Sequence, residues 1–148
     1  MNITVRDACS ADAAWMSDNT EQWVITAEPA DTGMALTEAL HALIAEDSQG
    51  TPMGWLYSSQ QNSAHGEPGY VRLYEMYVAP EFRRRGVSRA LVKELFARVP
   101  DQEIVLSAWD RELYEVWLKL GFTYTPGPED KPGYNAYFGD MARPSAAP

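Results

Sequence analysis

The feature that most constrains the fold is a strand, a tight turn and a helix followed by a second strand in the middle of the chain. The run "YVRLYEMYVAP" predicts a long strand that ends at Pro80, because proline cannot continue a central ladder. After the turn, "VSRALVKELFARV" carries an apolar stripe that is typical of an amphipathic helix. "EIVLSAW" is a short continuous apolar run, which indicates a buried parallel strand. These segments together predict a βαβ unit within an α/β fold.

Weaker patterns on both sides complete the order of elements. "ITVRDA" predicts a strand, followed by a helix that begins near Ser10. "HALIAED" and residues 53–59 predict two strands joined by a turn at residues 47–50. "DRELYEVWLKL" predicts a helix, and "FTYTPGPEDKPGYNAYF" predicts two strands joined by a Pro/Gly loop. We expect residues 1–140 to form one domain and residues 141–148 to form a flexible tail.

The turn before the central helix concentrates positive charge in an acidic chain. The stretch "YVAPEFRRRGVSRAL" holds four of the twelve Lys and Arg residues of a protein whose formal net charge is −9. A helix N-terminus attracts phosphate, and arginine adds bidentate phosphate contacts. Neither the P-loop pattern nor the G-x-G-x-x-G dinucleotide pattern occurs here. Two readings remain open on these grounds alone: a phosphate site and a solvated turn.

Composition narrows the function classes. The acidic balance argues against nucleic-acid binding and suits a cationic substrate such as an amine. Cys9 is the single cysteine, so no internal disulfide can form, which favours a reducing cytoplasm. No apolar run has the length of a membrane span, and the first residues do not resemble a signal peptide. We expect a cytoplasmic protein that requires neither a membrane nor a metal.

The stretch "V-A-P-E-F-R-R-R-G-V-S-R-A-L" resembles the acetyl-CoA signature of the GNAT superfamily of N-acetyltransferases. That signature is a strand ending in V-x-P, then [QR]-x-x-G-x-[GA] at the start of a helix. Arg83, Gly86 and Ser88 fall on its three defining positions, with Ser88 a small departure from Gly or Ala. Further along, "W-L-K-L-G-F" is similar to the family's Y-x-K-x-G-F. The resemblance implies a mixed, mostly antiparallel central sheet, splayed between the fourth and fifth strands and flanked by helices.

The resemblance also implies the cofactor, acetyl-CoA, and the residues that hold it. The pantetheine arm would lie along the end of the fourth strand, the pyrophosphate would rest on backbone N–H groups of the turn, and Asp110 stands where the family often has an Asn near the cofactor. The residues so implied are Met76, Tyr77, Val78, Arg83, Arg84, Arg85, Gly86, Val87, Ser88, Arg89 and Asp110.

Acetyl transfer to an amine requires a base, and we expect Glu75 to be that base. If the strand alternates regularly, Glu75 shares a face with Val71, Leu73 and Tyr77. A carboxylate among apolar neighbours has its pKa raised toward the range of a useful base. Acids on this strand serve as bases in a number of family members, with or without a bridging water. Pairing with a cation such as Arg72 is the alternative.

The departing thiolate requires an acid, for which the family typically uses a tyrosine at the position of Trp117. An indole N–H donates hydrogen bonds but is no acid near neutral pH. Tyr114 lies one turn earlier on the same predicted helix and is therefore our candidate acid. A packing role for Tyr114 and protonation by solvent are the alternatives.

The sequence thus favours an acetyl-CoA-dependent N-acetyltransferase that acts directly on a primary amine of a small molecule. Acetylation of a protein N-terminus or lysine is a second reading within the class. Trp117 keeps open a third, a catalytically weak acyl-CoA-binding regulator. Members of the family often dimerise, so a homodimer is also an open expectation.

Overall fold

The structure is a computed structural model, and it describes residues 2–20, 41–61, 69–107, 111–125 and 140–143. The elements in chain order are β1 (Thr4–Asp7), a 3-10 turn (Ser10–Asp12), α1 (Ala13–Asp18), β2 (His41–Glu46), β3 (Pro52–Gln61), β4 (Tyr70–Val78), a 3-10 turn (Pro80–Phe82), α2 (Val87–Arg98), β5 (Glu103–Ser107), α3 (Arg111–Lys119), β6 (Thr123–Thr125) and β7 (Asp140–Arg143).

The central strand–helix–strand unit is confirmed. Strand β4 is followed by the turn, by α2 and by β5, and β4 pairs in parallel with β5. The strand order of the sheet is β1-β2-β3-β4-β5-β7-β6. The parallel pairing covers the first residues of both strands, from Tyr70↔Glu103 to Arg72↔Val105, which is consistent with strands that diverge beyond it. The predicted fold class, a mixed and mostly antiparallel sheet splayed between its fourth and fifth strands, is therefore confirmed.

The chain divides into two compact units, and the first comprises Met1–Gln60 and Leu73–Val99. Strands β1, β2 and β3 are antiparallel neighbours. The β2–β3 turn is the predicted one: the Asp47 carboxylate accepts hydrogen bonds from the backbone N–H groups of Gln49 and Thr51. Helix α1 packs on the sheet, and α2 contacts β1 and β2. The core cluster under α1 consists of Ala13, Met16, Ala42, Ile44 and Trp55.

The second unit comprises Gln61–Arg72 and Pro100–Pro148. Strand β7 lies between β5 and β6 and is antiparallel to both. The buried ring of Trp117, on α3, packs edge to face on that of Phe122, which follows the helix, with centroids 5.4 Å apart. The Gly121 φ of 106° lets the chain turn from the helix into β6, which is the predicted helix stop.

Two predicted boundaries differ in detail. The 3-10 turn before α1 has Cys9 rather than Ser10 as its N-cap residue, and Asp12 accepts a hydrogen bond from the Cys9 N–H. Strand β7 begins at Asp140, beyond the segment ending at Phe138 in which the last strand was predicted, and it takes in residues 141–143, the first part of the predicted tail. Residues 144–148 lie outside the described residues, and the extent of the domain stays a prediction. None of the helices in the described segments is long and apolar enough to cross a membrane.

Candidate acetyl-CoA site

The turn between β4 and α2 combines a 3-10 turn with two residues in the left-handed region. Arg84 has a φ of 63° and Gly86, the N-cap residue of α2, has a φ of 85°. A Cβ placed on Gly86 would meet no other atom within 4 Å. Glycine is therefore required by the backbone conformation, which costs other residues about 1–2 kcal/mol, rather than by crowding within the protein. Arg84 adopts the left-handed region without being glycine, which is uncommon and is found mostly at functional sites.

This shape leaves a row of backbone N–H donors without acceptors in the described part of the chain. The Arg83 N–H donates to the Pro80 carbonyl oxygen, and the next N–H with a backbone acceptor is that of Ala90, which donates to Gly86 O at 3.0 Å. The six N–H groups from Arg84 to Arg89 have no acceptor among the described residues. Consecutive free N–H groups at the start of a twelve-residue helix form a site for an anion. The turn thus fits the pyrophosphate of coenzyme A.

The arginines of the turn have two roles. The Arg83 guanidinium folds back, donates from Nε to the Val78 carbonyl oxygen at 2.9 Å and lies 5.7 Å from the centre of the Tyr77 ring. In contrast, Arg84, Arg85 and Arg89 are exposed and make no ion pair with any carboxylate of the described segments. Arg83 therefore supports the end of β4, while the other three are available to a charged ligand.

Gly54 allows β3 to come unusually close to this turn. A Cβ on Gly54 would lie 2.7 Å from the Tyr77 carbonyl oxygen and 3.0 Å from Val87 Cγ1. The neighbouring Met53 carbonyl oxygen accepts a hydrogen bond from the Ala79 N–H at 2.9 Å. Gly54 thus lets the end of β4 and the start of α2 pack against the same point of β3.

Glu75 is buried in the middle of β4. Residues Val71, Leu73 and Glu75 are buried in alternation, which confirms these three members of the predicted face, whereas the fourth, Tyr77, is half-buried like its neighbours. Glu75 is only 3% exposed. Its Oε1 accepts a hydrogen bond from the Thr20 hydroxyl at 2.7 Å. A carboxylate in such surroundings can take up a proton from a bound amine or from a water next to it.

Thr20 follows a helix end that is tied to the core. The chain leaves α1 at Asn19, whose side-chain amide donates to Trp15 O at 2.8 Å. The Asn19 carbonyl oxygen accepts a hydrogen bond from the indole Nε1 of Trp55 at 2.6 Å, and Trp55 is fully buried. The indole thereby satisfies its only polar atom and holds the backbone next to Thr20.

The other predicted site residues belong to the second unit. Tyr114 lies on α3, and the structure describes its backbone but not its side chain. Trp117 is 8% exposed and packs on Phe122, so the residue at the family's tyrosine position is part of the core. Asp110 lies outside the described residues. No group of His, Cys, Asp and Glu side chains within the described segments could hold a metal ion.

Sequence reasoning missed Thr20, Asn19 and Gly54. A glycine inside a strand pattern often marks a close backbone approach, so Gly54 in "PMGWLY" carried a usable signal. The Thr20–Glu75 hydrogen bond joins residues 55 positions apart. No local pattern indicates such a contact.

The chain belongs to the Acetyltransferase (GNAT) family, whose sequence model matches residues 10–122. Acetyl-CoA is the cofactor of this family. The chain is therefore an acetyltransferase by family, as its turn and sheet indicated.

Solved structures share the fold across nearly the whole chain. The structure of Ard1 from Thermoplasma volcanium is 18% identical, with a TM-score of 0.75, and covers 99% of this chain and 100% of its own. The phosphinothricin acetyltransferase from Sinorhizobium meliloti, solved in complex with AcCoA, is 18% identical, with a TM-score of 0.70, and covers 98% and 89%. The histone acetyltransferase HPA2 and related acetyltransferase from Corynebacterium glutamicum is 22% identical, with a TM-score of 0.69, and covers 100% and 99%. A sequence search of curated proteins found no match.

Proposed function

We propose that the protein transfers an acetyl group from acetyl-CoA directly to a primary amine of a small molecule. The observation that carries the proposal is the row of six N–H groups from Arg84 to Arg89 immediately after a strand that bears the buried Glu75. The turn offers an anion site, and the strand that precedes it offers a base.

The residues of the turn and the end of β4 hold the cofactor. The N–H groups of Arg84 to Arg89 bind the pyrophosphate, and Arg84, Arg85 and Arg89 add positive charge. The backbone of Met76 to Val78 aligns the pantetheine arm, with Arg83 fixing the Val78 carbonyl group. Bound acetyl-CoA supplies the acyl group as a thioester.

Glu75 acts as the general base of this reaction. An amine attacks a carbonyl carbon only when its nitrogen lone pair is free, so the ammonium form has to lose a proton first. Glu75 accepts that proton directly or through one water, and its burial and its bond from Thr20 hold the carboxylate in one orientation. Tyr114 is the proposed acid that protonates the departing thiolate, since the indole of Trp117 cannot.

The acceptor is proposed to be a small cationic amine in the cytoplasm. A net charge of −9 favours the approach of cations, and the free, exposed Cys9 suits a reducing compartment. The similar Sinorhizobium meliloti protein is named for a small molecule, phosphinothricin, which supports a small-molecule acceptor here. The alternative acceptor within the class is a protein N-terminus or a lysine side chain. A homodimer remains part of the proposal.

One observation favours a second candidate function, a catalytically weak acyl-CoA-binding regulator. Trp117 occupies the family's usual tyrosine position and is buried against Phe122, so that position supplies no acid. A protein of this kind would bind the cofactor through the turn and transfer acetyl groups slowly or not at all.

The test combines binding and turnover. Acetyl-CoA at about 100 times its dissociation constant stabilises a binding protein by about 2.7 kcal/mol, which is a clear rise in melting temperature. A panel of small amines, peptides with free N-termini and lysine peptides is then screened for thiol release. Stabilisation with turnover on small amines, lost in Glu75→Gln, supports the proposal. Stabilisation without turnover on any acceptor points to the regulator, and no stabilisation contradicts both.

A further inference from the structure

Thr20 is the polar side chain that joins the end of α1 to the buried carboxylate of β4. Its hydroxyl group lies 2.7 Å from Glu75 Oε1. An ionised carboxylate only accepts hydrogen bonds, so the hydroxyl hydrogen points toward Glu75 whenever Glu75 is charged. A donor to the charged form stabilises that form and restricts the rotation of the carboxylate.

The position of Thr20 is itself fixed by the fold. The Asn19 carbonyl oxygen, in the peptide bond that leads to Thr20, receives the hydrogen bond from the Trp55 indole at 2.6 Å. The Asn19 N–H donates to Met16 O, and the Asn19 side chain donates to Trp15 O. Because α1 is anchored in the core by Met16 and Ala13, Thr20 is held against Glu75 by buried structure.

We propose that Thr20 is a positioning residue of the acetyl-transfer reaction, whose hydroxyl group orients Glu75 and keeps it charged and ready to accept the proton of the amine. The inference rests on the proposed role of Glu75. It assigns to the end of α1 a function in catalysis in addition to its packing role. No atoms are exchanged between Thr20 and substrate, and the proton passes from the amine to Glu75.

The first test is Thr20→Val, which keeps the shape of the side chain and removes the donor. Loss of a hydrogen bond to a charged group corresponds to a rise of about one unit in the pKa of Glu75. On the acidic side of the pH profile, the fall in kcat/KM that reports protonation of Glu75 (the acid limb) should therefore occur about one pH unit higher. At a pH on this limb, kcat/KM of the variant should be about tenfold lower than that of the wild type. Acetyl-CoA KM should not change. Thr20→Ser retains the hydroxyl and should restore the wild-type limb.

The matched control is Thr123→Val. The Thr123 hydroxyl donates to the Ala142 carbonyl oxygen at 3.2 Å, so the control removes a threonine hydrogen bond that does not involve a carboxylate. Its pH profile should match the wild type. An acid limb that shifts equally in Thr20→Val and Thr123→Val, or in neither, overturns the proposal.

A measurement without turnover separates this inference from the proposed function. Titration of the side-chain carboxyl carbons by NMR reports the pKa of Glu75 in the folded protein, and Thr20→Val should raise it while Thr20→Ser should not. If Thr20→Val raises the pKa of the Glu75 carboxyl but Glu75→Gln retains full activity, the hydrogen bond has its proposed effect and the role of Glu75 as base is wrong. If Glu75→Gln abolishes activity and Thr20→Val leaves both the carboxyl and the limb unchanged, Thr20 is not a positioning residue.

Discussion

Arginines are used differently in two regions of the first unit. On β1, the Arg6 guanidinium donates two hydrogen bonds to the Asp12 carboxylate, at 2.8 and 2.9 Å, and a third to Glu46 at 3.0 Å. The Arg6 hydrogen bond lowers the pKa of Asp12 below its ordinary value. At the turn after β4, Arg84, Arg85 and Arg89 are exposed and have no carboxylate partner among the described residues.

This difference separates structural charge from charge that is available to a ligand. A chain with 21 Asp and Glu residues has ample partners for its cations. Arg6 satisfies its donors within the fold and joins β1, β2 and the turn before α1. The turn arginines lie beside six backbone N–H groups that also have no described acceptor. Donors and charge left together in one place indicate a site for an anion from outside the chain.

The largest effect is expected from Ser88→Asp, which places a carboxylate in the first turn of α2. An acid at a helix N-terminus is favourable by about 0.3–1 kcal/mol, so the free protein should be as stable as the wild type or more so. The same carboxylate repels a pyrophosphate, and we expect the KM for acetyl-CoA to rise about 100-fold or more. Melting temperature with and without acetyl-CoA and steady-state kinetics test this. Ser88→Asn is the uncharged control, and an unaltered KM in Ser88→Asp would remove the turn as the pyrophosphate site.

A smaller effect is expected from Arg85→Gln combined with Arg89→Gln. Neither arginine forms an ion pair with a described residue, and a positive charge near a helix N-terminus is unfavourable. The free energy of unfolding should therefore change by less than about 0.5 kcal/mol. The KM for acetyl-CoA should rise about tenfold, and less at high salt, because exposed charges are screened. If the double variant instead lost stability and kept the wild-type KM, Arg85 and Arg89 would have the structural role that is assigned here to Arg6.

The smallest effect is expected from Arg6→Gln, and it should fall on stability alone. The Arg6 side chain is 37% exposed, so its ion pairs contribute about 1 kcal/mol or less. Asp12 has a lowered pKa in the folded protein, so its contribution is present above the ordinary value of 3.8 and is lost as pH falls below it. Acid unfolding should therefore begin at a higher pH in Arg6→Gln. Urea unfolding at pH 7 and at pH 3 measures both effects, while an increased KM for acetyl-CoA would contradict a purely structural role.

Features formed by residues that are neighbours in the chain could be predicted from the sequence, and contacts between distant residues could not. The turn from Arg83 to Ser88 is contiguous, so its charge, its glycine and the helix that follows can be recognised together. The alternation that buries Glu75 is likewise a local pattern. The partners of Arg6 could not be predicted, because Glu46 is 40 residues away and becomes a neighbour only through the pairing of β1 with β2. The hydrogen bond from Arg83 to the Val78 carbonyl oxygen also could not be predicted, because the sequence does not distinguish Arg83 from the two arginines that follow it.

By itself, the sequence determined the order of the described elements, the βαβ unit, the family and the position of the arginine-rich turn, because each depends on residues close together in the chain. Tertiary structure alone decided which arginines remain available, how close β3 comes at Gly54 and which side chain meets Glu75. The physical reason is that hydrogen bonds and close packing depend on distances of a few ångströms between atoms. For residues as distant in the chain as Thr20 and Glu75, only the folded backbone sets those distances.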